Sequence, residues 1–97
     1  MNPLNIIGKR YYSMRIVYFG HFGKLRGTAE DSLEIRKSTV SDVIDIIEKK
    51  SSGFRKESKG HDALILKNGV NIDGLHGTNT ILTNNDTLSF AHKVVGG

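Results

Sequence analysis

One stretch limits the architectures open to this chain. Val40, Val43, Ile44 and Ile47 recur at three- and four-residue steps, so they fall on one stripe of a helix. Asp42, Asp45, Glu48 and Lys49 fall on the other side, as a solvated face. Thr39 stands where an N-cap belongs, with Asp42 three residues on, near the positive helix N-terminus. Ser51-Ser52-Gly53 ends the helix. A helix with one apolar stripe must bury it against another element. The flanking segments read as strands, so this helix is expected to cover one face of a sheet.

Arg15-Ile16-Val17-Tyr18-Phe19 is a strand by its β-branched and aromatic content. Both its faces are apolar: Ile16 and Tyr18 on one, Val17 and Phe19 on the other. One face must meet the core, and the second is covered or is a contact surface. Gly20 to Gly27 holds three glycines and reads as a turn or loop with no helix after it. Gly20 and Gly23 lack the Gly-Lys-Ser/Thr of a phosphate loop. Ser32-Leu33-Glu34-Ile35-Arg36 alternates, with Leu33 and Ile35 inward, and pairs back on the first strand as a hairpin. Gly53 to Asp62 is a polar, basic loop with at most a ragged helical turn, and Phe54 is its apolar anchor. Ala63-Leu64-Ile65-Leu66-Lys67 is the next strand. Asn68-Gly69 signals a type I′ hairpin into Val70-Asn71-Ile72. Gly74 to Gly77 is irregular, and Thr80-Ile81-Leu82 leads to the turn Asn84-Asn85-Asp86. Thr87-Leu88-Ser89-Phe90-Ala91 is the last strand, with Leu88 and Phe90 inward.

This order predicts an α+β fold, a β-grasp in which a mixed sheet packs on one main helix. The first and last strands lie side by side at its centre. Residues 1–13 read as a flexible leader, in which an added edge strand over 4–7 is an open alternative. Residues 14–92 form the domain and 93–97 a flexible tail.

The chain has no cysteine, so it has no disulfide, thiolate metal site or cysteine nucleophile. Its four histidines, His21, His61, His76 and His92, have no metal-ligand spacing and read as surface or loop residues. No serine sits in a nucleophile elbow. The domain is therefore expected to hold no metal or cofactor and no catalytic residue of its own. The net charge of +4 raises the question of nucleic acid, but the basic residues are scattered and no aromatics interleave with them. Direct nucleic-acid binding is not expected. No run is long enough to span a membrane, and the expected location is cytoplasmic.

What remains is the end, Val94-Val95-Gly96-Gly97. Glycine has no Cβ, so this tail is slim and free, and ordering it costs entropy without filling a core. It suits threading into another protein's slot, with the Gly97 carboxylate as the reacting group.

A β-grasp domain ending on Gly-Gly resembles the ubiquitin-like sulfur carriers. These comprise the small subunit of molybdopterin synthase (MoaD), ThiS, the ubiquitin-related modifier of tRNA thiolation, and the archaeal small modifiers. The resemblance runs from Met14 to Gly97. It rests on Arg15 to Gly20 with Leu25-Arg26-Gly27, on Leu64 to Val70, and on Asn85 to Phe90. The prolines usual before the tail of molybdopterin-type carriers are absent from His92-Lys93-Val94-Val95. The resemblance implies that an E1-like enzyme adenylates Gly97 with ATP and Mg²⁺. A thiocarboxylate then forms, for molybdopterin, thiazole or tRNA thiolation. A molybdopterin synthase large subunit or a tRNA thiolase would be the next partner. Archaeal relatives imply an alternative, conjugation to lysines of target proteins. A third reading is a plain β-grasp binding module. Val94, Val95 and Gly96 would thread into the partner, and Val17, Phe19 and Ala91 are the candidate docking surface.

Overall fold

The computed structural model describes residues 13–94. The leader up to residue 12, with its alternative edge strand, and Val95, Gly96 and Gly97 lie outside the described residues. The chain runs β1 (Met14–Tyr18), α1 (His21–Arg26), β2 (Glu30–Leu33), β3 (Lys37–Thr39), α2 (Val40–Lys50), α3 (Phe54–Ser58), β4 (Ala63–Lys67), β5 (Val70–Asn71), β6 (Ile81–Thr83) and β7 (Thr87–His92). Two 3₁₀ turns, Ile72–Gly74 and Gly77–Asn79, fill the segment between β5 and β6.

The five-stranded sheet has the order β2-β1-β7-β4-β5. β1 and β7 are parallel neighbours at its centre, with Ile16 beside Leu88 and Tyr18 beside Phe90. β2 pairs antiparallel with β1, and β4 antiparallel with β7. This is the expected mixed sheet. Parallel pairing at the centre follows from chain order, because the intervening helix carries the chain back across the sheet.

α2 is the expected helix. Thr39 accepts from the Asp42 N–H at 3.1 Å, and the Asp42 carboxylate accepts from the Thr39 N–H at 3.1 Å. This capping box satisfies two donors that the first turn leaves free. Val40, Val43, Ile44 and Ile47 are all buried, against Ile16, Leu88 and Phe90 from the central strands.

Three expectations are corrected. Gly20 to Gly27 is not a loop: α1 occupies it and drives Phe22 completely into the core. Gly27 stops α1 with φ +81°, a left-handed turn that favours glycine. The N–H groups of Phe22, Gly23 and Lys24 are taken by the carbonyls of Phe19 and Gly20. No cradle of free amides is left for a phosphate. Gly53 to Asp62 also holds a true helix, α3, organised around the fully buried Phe54. Finally, the hairpin strand ends at Leu33 and not at Arg36. The chain then swings away so that β3 pairs with β6 in a separate two-stranded sheet. Ile35 is held at that departure by its N–H donating to Asn84 Oδ1 at 3.1 Å.

The Asn68-Gly69 hairpin is as predicted. Both residues have positive φ, 50° and 84°, as a type I′ turn requires.

Candidate functional site

β7 positions the candidate site. Leu88 and Phe90 point to the helices and are fully buried, while Ser89 and Ala91 face the other way. Among the described residues no helix covers that opposite face. On it Val17 lies beside Ser89, Ser89 opposite Leu66, and Ala91 opposite Leu64. Phe19 follows directly on β1, its N–H bonded to the Phe90 carbonyl at 2.9 Å, which sets it next to Ala91. The three residues expected to form a docking surface, Val17, Phe19 and Ala91, are thus brought together. Phe19 is 52% exposed, whereas Val17 and Ala91 are half-buried.

Leu64 and Leu66 complete this apolar face and were missing from the expected set. The signal was present in Ala63 to Lys67, where consecutive leucines and isoleucine make both faces of the strand apolar. Ile65 takes the buried side and leaves the leucines on the open one.

The tail leaves from the same strand. His92 is the last residue of β7, paired with Ala63. The Lys93 N–H still donates to the Asp62 carbonyl at 2.8 Å. Val94 is 92% exposed. Of the expected threading residues, only Val94 lies within the described residues.

His92 is not a loop histidine. It points to the helix side, its ring stacked on Phe22 with centroids 4.5 Å apart and planes at 11°. Its Nε2–H donates to Glu57 Oε2 at 2.9 Å. His21 lies 3.7 Å from Glu57 Oε1, its ring centroid 6.1 Å from that of His92. His21, His61 and His76 are exposed. Among the described residues no group of three or more His, Asp or Glu could hold a metal ion. No helix among them is long and apolar enough to cross a membrane.

Polar interactions hold the frame of the domain. The Tyr18 hydroxyl donates to Asp31 Oδ2 at 2.8 Å, and Arg26 Nε donates to the same oxygen at 2.8 Å. Burial, then the Asp31 carboxylate, push the Tyr18 hydroxyl pKa above its ordinary value of 10.0. Glu48, read from sequence as part of a solvated face, instead accepts from the Arg55 and Gly53 N–H groups at the start of α3. Those backbone donors lower its pKa. Asp86 holds the turn before β7. Burial pushes its pKa up, but the Thr83 N–H, the Asn68 side-chain amide and Lys67 outweigh it, and the net shift is downward.

Comparison with solved structures identifies the same architecture elsewhere. The small archaeal modifier protein 1 of Methanosarcina acetivorans superposes with a TM-score of 0.72 at 27% identity, over 88% of this chain and 96% of its own. Subunit 1 of a molybdopterin converting factor from Pyrococcus furiosus gives 0.71 at 25% identity, over 84% and 98%. Urm1 of Trypanosoma brucei gives 0.69 at 14% identity, over 89% and 96%, a likeness of fold alone. No protein-family profile and no curated protein matches the chain. This chain therefore has the β-grasp fold, and its structural neighbours are the ubiquitin-like sulfur carriers and modifiers that its sequence resembles.

Proposed function

We propose that this protein is a ubiquitin-like carrier activated at the carboxylate of Gly97. The observation that carries the reading is the path of β7. This central strand passes beside an open apolar face and leads straight into Val94-Val95-Gly96-Gly97. The domain acts as a handle. Its apolar face, with Phe19 at the exposed edge, docks on a partner, and the partner supplies the catalytic groups.

The chemistry assigned to the tail needs such a partner. A carboxylate is a poor acyl donor because its leaving group would be oxide. In the proposed step, a Gly97 oxygen attacks the α-phosphorus of ATP on an E1-like enzyme, with Mg²⁺ neutralising the phosphates, and pyrophosphate leaves. Sulfide from a sulfur donor then attacks the carbonyl carbon, AMP leaves, and the end becomes a thiocarboxylate. Glycine at the last position hinders that attack least. The sulfur goes onward to a molybdopterin precursor on a molybdopterin synthase large subunit, or to a tRNA uridine through a thiolase.

The test is incubation of the full chain with the E1-like enzymes of its host, ATP, Mg²⁺ and a sulfur donor. Intact mass should show one oxygen replaced by sulfur, and deletion of Gly97 should abolish the change without moving the melting temperature. An unmodified mass with every such enzyme would overturn the proposal.

A second reading, conjugation to target lysines, is favoured by the likeness to the archaeal modifier. Lys93 is the last site for trypsin, so a conjugated target would carry Val94-Val95-Gly96-Gly97 as a branch on the modified lysine. Finding that branched peptide would support conjugation in place of, or beside, sulfur transfer.

A further inference from the structure

The end of β7 is held more firmly than the end of a strand requires. His92 contributes nothing to the open face, since its side chain lies on the helix side. An aliphatic residue would cover Phe22 as well and would leave no polar atom to satisfy. The histidine instead spans two elements. Its ring lies flat on Phe22 of α1, at 4.5 Å and 11°, and its Nε2–H reaches Glu57 of α3 at 2.9 Å. The side chains are 27% and 35% exposed, so the pair is partly withdrawn from water. One residue later the Lys93 N–H closes on the Asp62 carbonyl at 2.8 Å. One residue after that, Val94 is 92% exposed. Within two residues the described chain thus passes from a side chain held on two elements to one almost fully exposed.

We propose that the Glu57–His92 pair, seated on Phe22, is a clamp that sets where the tail leaves the fold, with both residues positioning Gly97 for activation. The proposal rests on the carrier reading above. Residues 94–97 lie beyond the clamp and span at most about 14 Å when extended. That reach is the distance over which the docked domain must deliver its carboxylate. Without the clamp, β7 frays from its end and releases one or two residues. Each residue released adds backbone freedom that threading must remove, which lowers the threaded fraction about tenfold per residue. Docking by the open face precedes threading and is untouched.

The expected signature is thus a fall in kcat at constant KM. The experiment measures pyrophosphate release by the E1-like enzyme that activates the wild-type chain, over a range of carrier concentrations. His92→Ala and Glu57→Ala should each lower kcat about tenfold and leave KM unchanged. His92→Gln keeps an N–H for Glu57 and should recover most of the rate. A second measurement needs no enzyme. Backbone ¹⁵N relaxation at Lys93 should fall from rigid values to below about 0.6 in order parameter in His92→Ala, while Leu88 and Phe90 stay rigid. The proposal is overturned if His92→Ala keeps a rigid Lys93. It is equally overturned if kcat is unchanged or drops only with the folded fraction seen by circular dichroism. Should no enzyme activate the wild type, the carrier reading fails, and the relaxation measurement decides the clamp by itself.

Discussion

The two faces of the central sheet are built from the same strands and meet different surroundings. On the helix side, Ile16, Tyr18, Ile65, Leu88 and Phe90 are buried with α1, α2 and α3 over them. On the other side, one residue along each strand, Val17, Phe19, Leu64, Leu66 and Ala91 have no helix above them among the described residues. Alternation alone separates the two sets. The lesson is that hydrophobicity along a strand does not by itself say which face makes the core. The helices decide it: the strand residues that they cover make the core.

The contrast can be broken most severely on the helix side. Phe22 meets Phe54, Phe90 and His92 at centroid distances of 5.3, 5.7 and 4.5 Å. Phe22→Ala should cost about 3–5 kcal/mol, because the rings around it cannot collapse into the space. Urea denaturation measures this, and a loss under 1 kcal/mol would mean that α1 is dispensable to the core. A smaller effect is expected at the rim of the same face, where Tyr18, Arg26 and Asp31 share a hydrogen-bond network. Asp31→Ala removes the acceptor of a buried hydroxyl and should cost about 1–3 kcal/mol. The network also fixes the sign of an alkaline effect. Tyr18 keeps its proton more tightly folded than unfolded, so its contribution is complete below pH 10.0 and is lost as pH rises above that value. Tyr18→Phe should flatten that part of the stability–pH curve.

The smallest stability change should come from the open face. Phe19→Ser removes a half-exposed ring that fills no core space, and should alter stability by about 0.5 kcal/mol or less. If the open face is the docking surface, the same substitution raises KM for activation and spares kcat, the reverse of the clamp variants. A chain that unfolds on Phe19→Ser would erase the distinction between the faces.

Much of this molecule could be read from the residues. The stripe Val40, Val43, Ile44, Ile47 and the Thr39–Asp42 capping box are local, with their partners within one or two turns. The same holds for Asn68-Gly69, whose turn type follows from two residues. The parallel β1–β7 centre was reachable because the order of elements leaves few ways to bury one helix on one sheet. α1 and α3 were missed for a physical reason. At six and five residues they are too short to be stable by propensity, and glycines surround them. Phe22 and Phe54 hold them in place by burial among residues distant in sequence. The clamp was hidden for the same reason, since His92 and Glu57 stand 35 positions apart.

The sequence by itself therefore determined the main helix, the Asn68-Gly69 hairpin and the order of elements, because each is set by residues near one another along the chain. Only the tertiary structure decided which apolar strand faces stay open, which short segments become helices, and how the last strand is gripped before the tail begins. Those depend on contacts between residues far apart in the chain, and such contacts exist only once the core has closed.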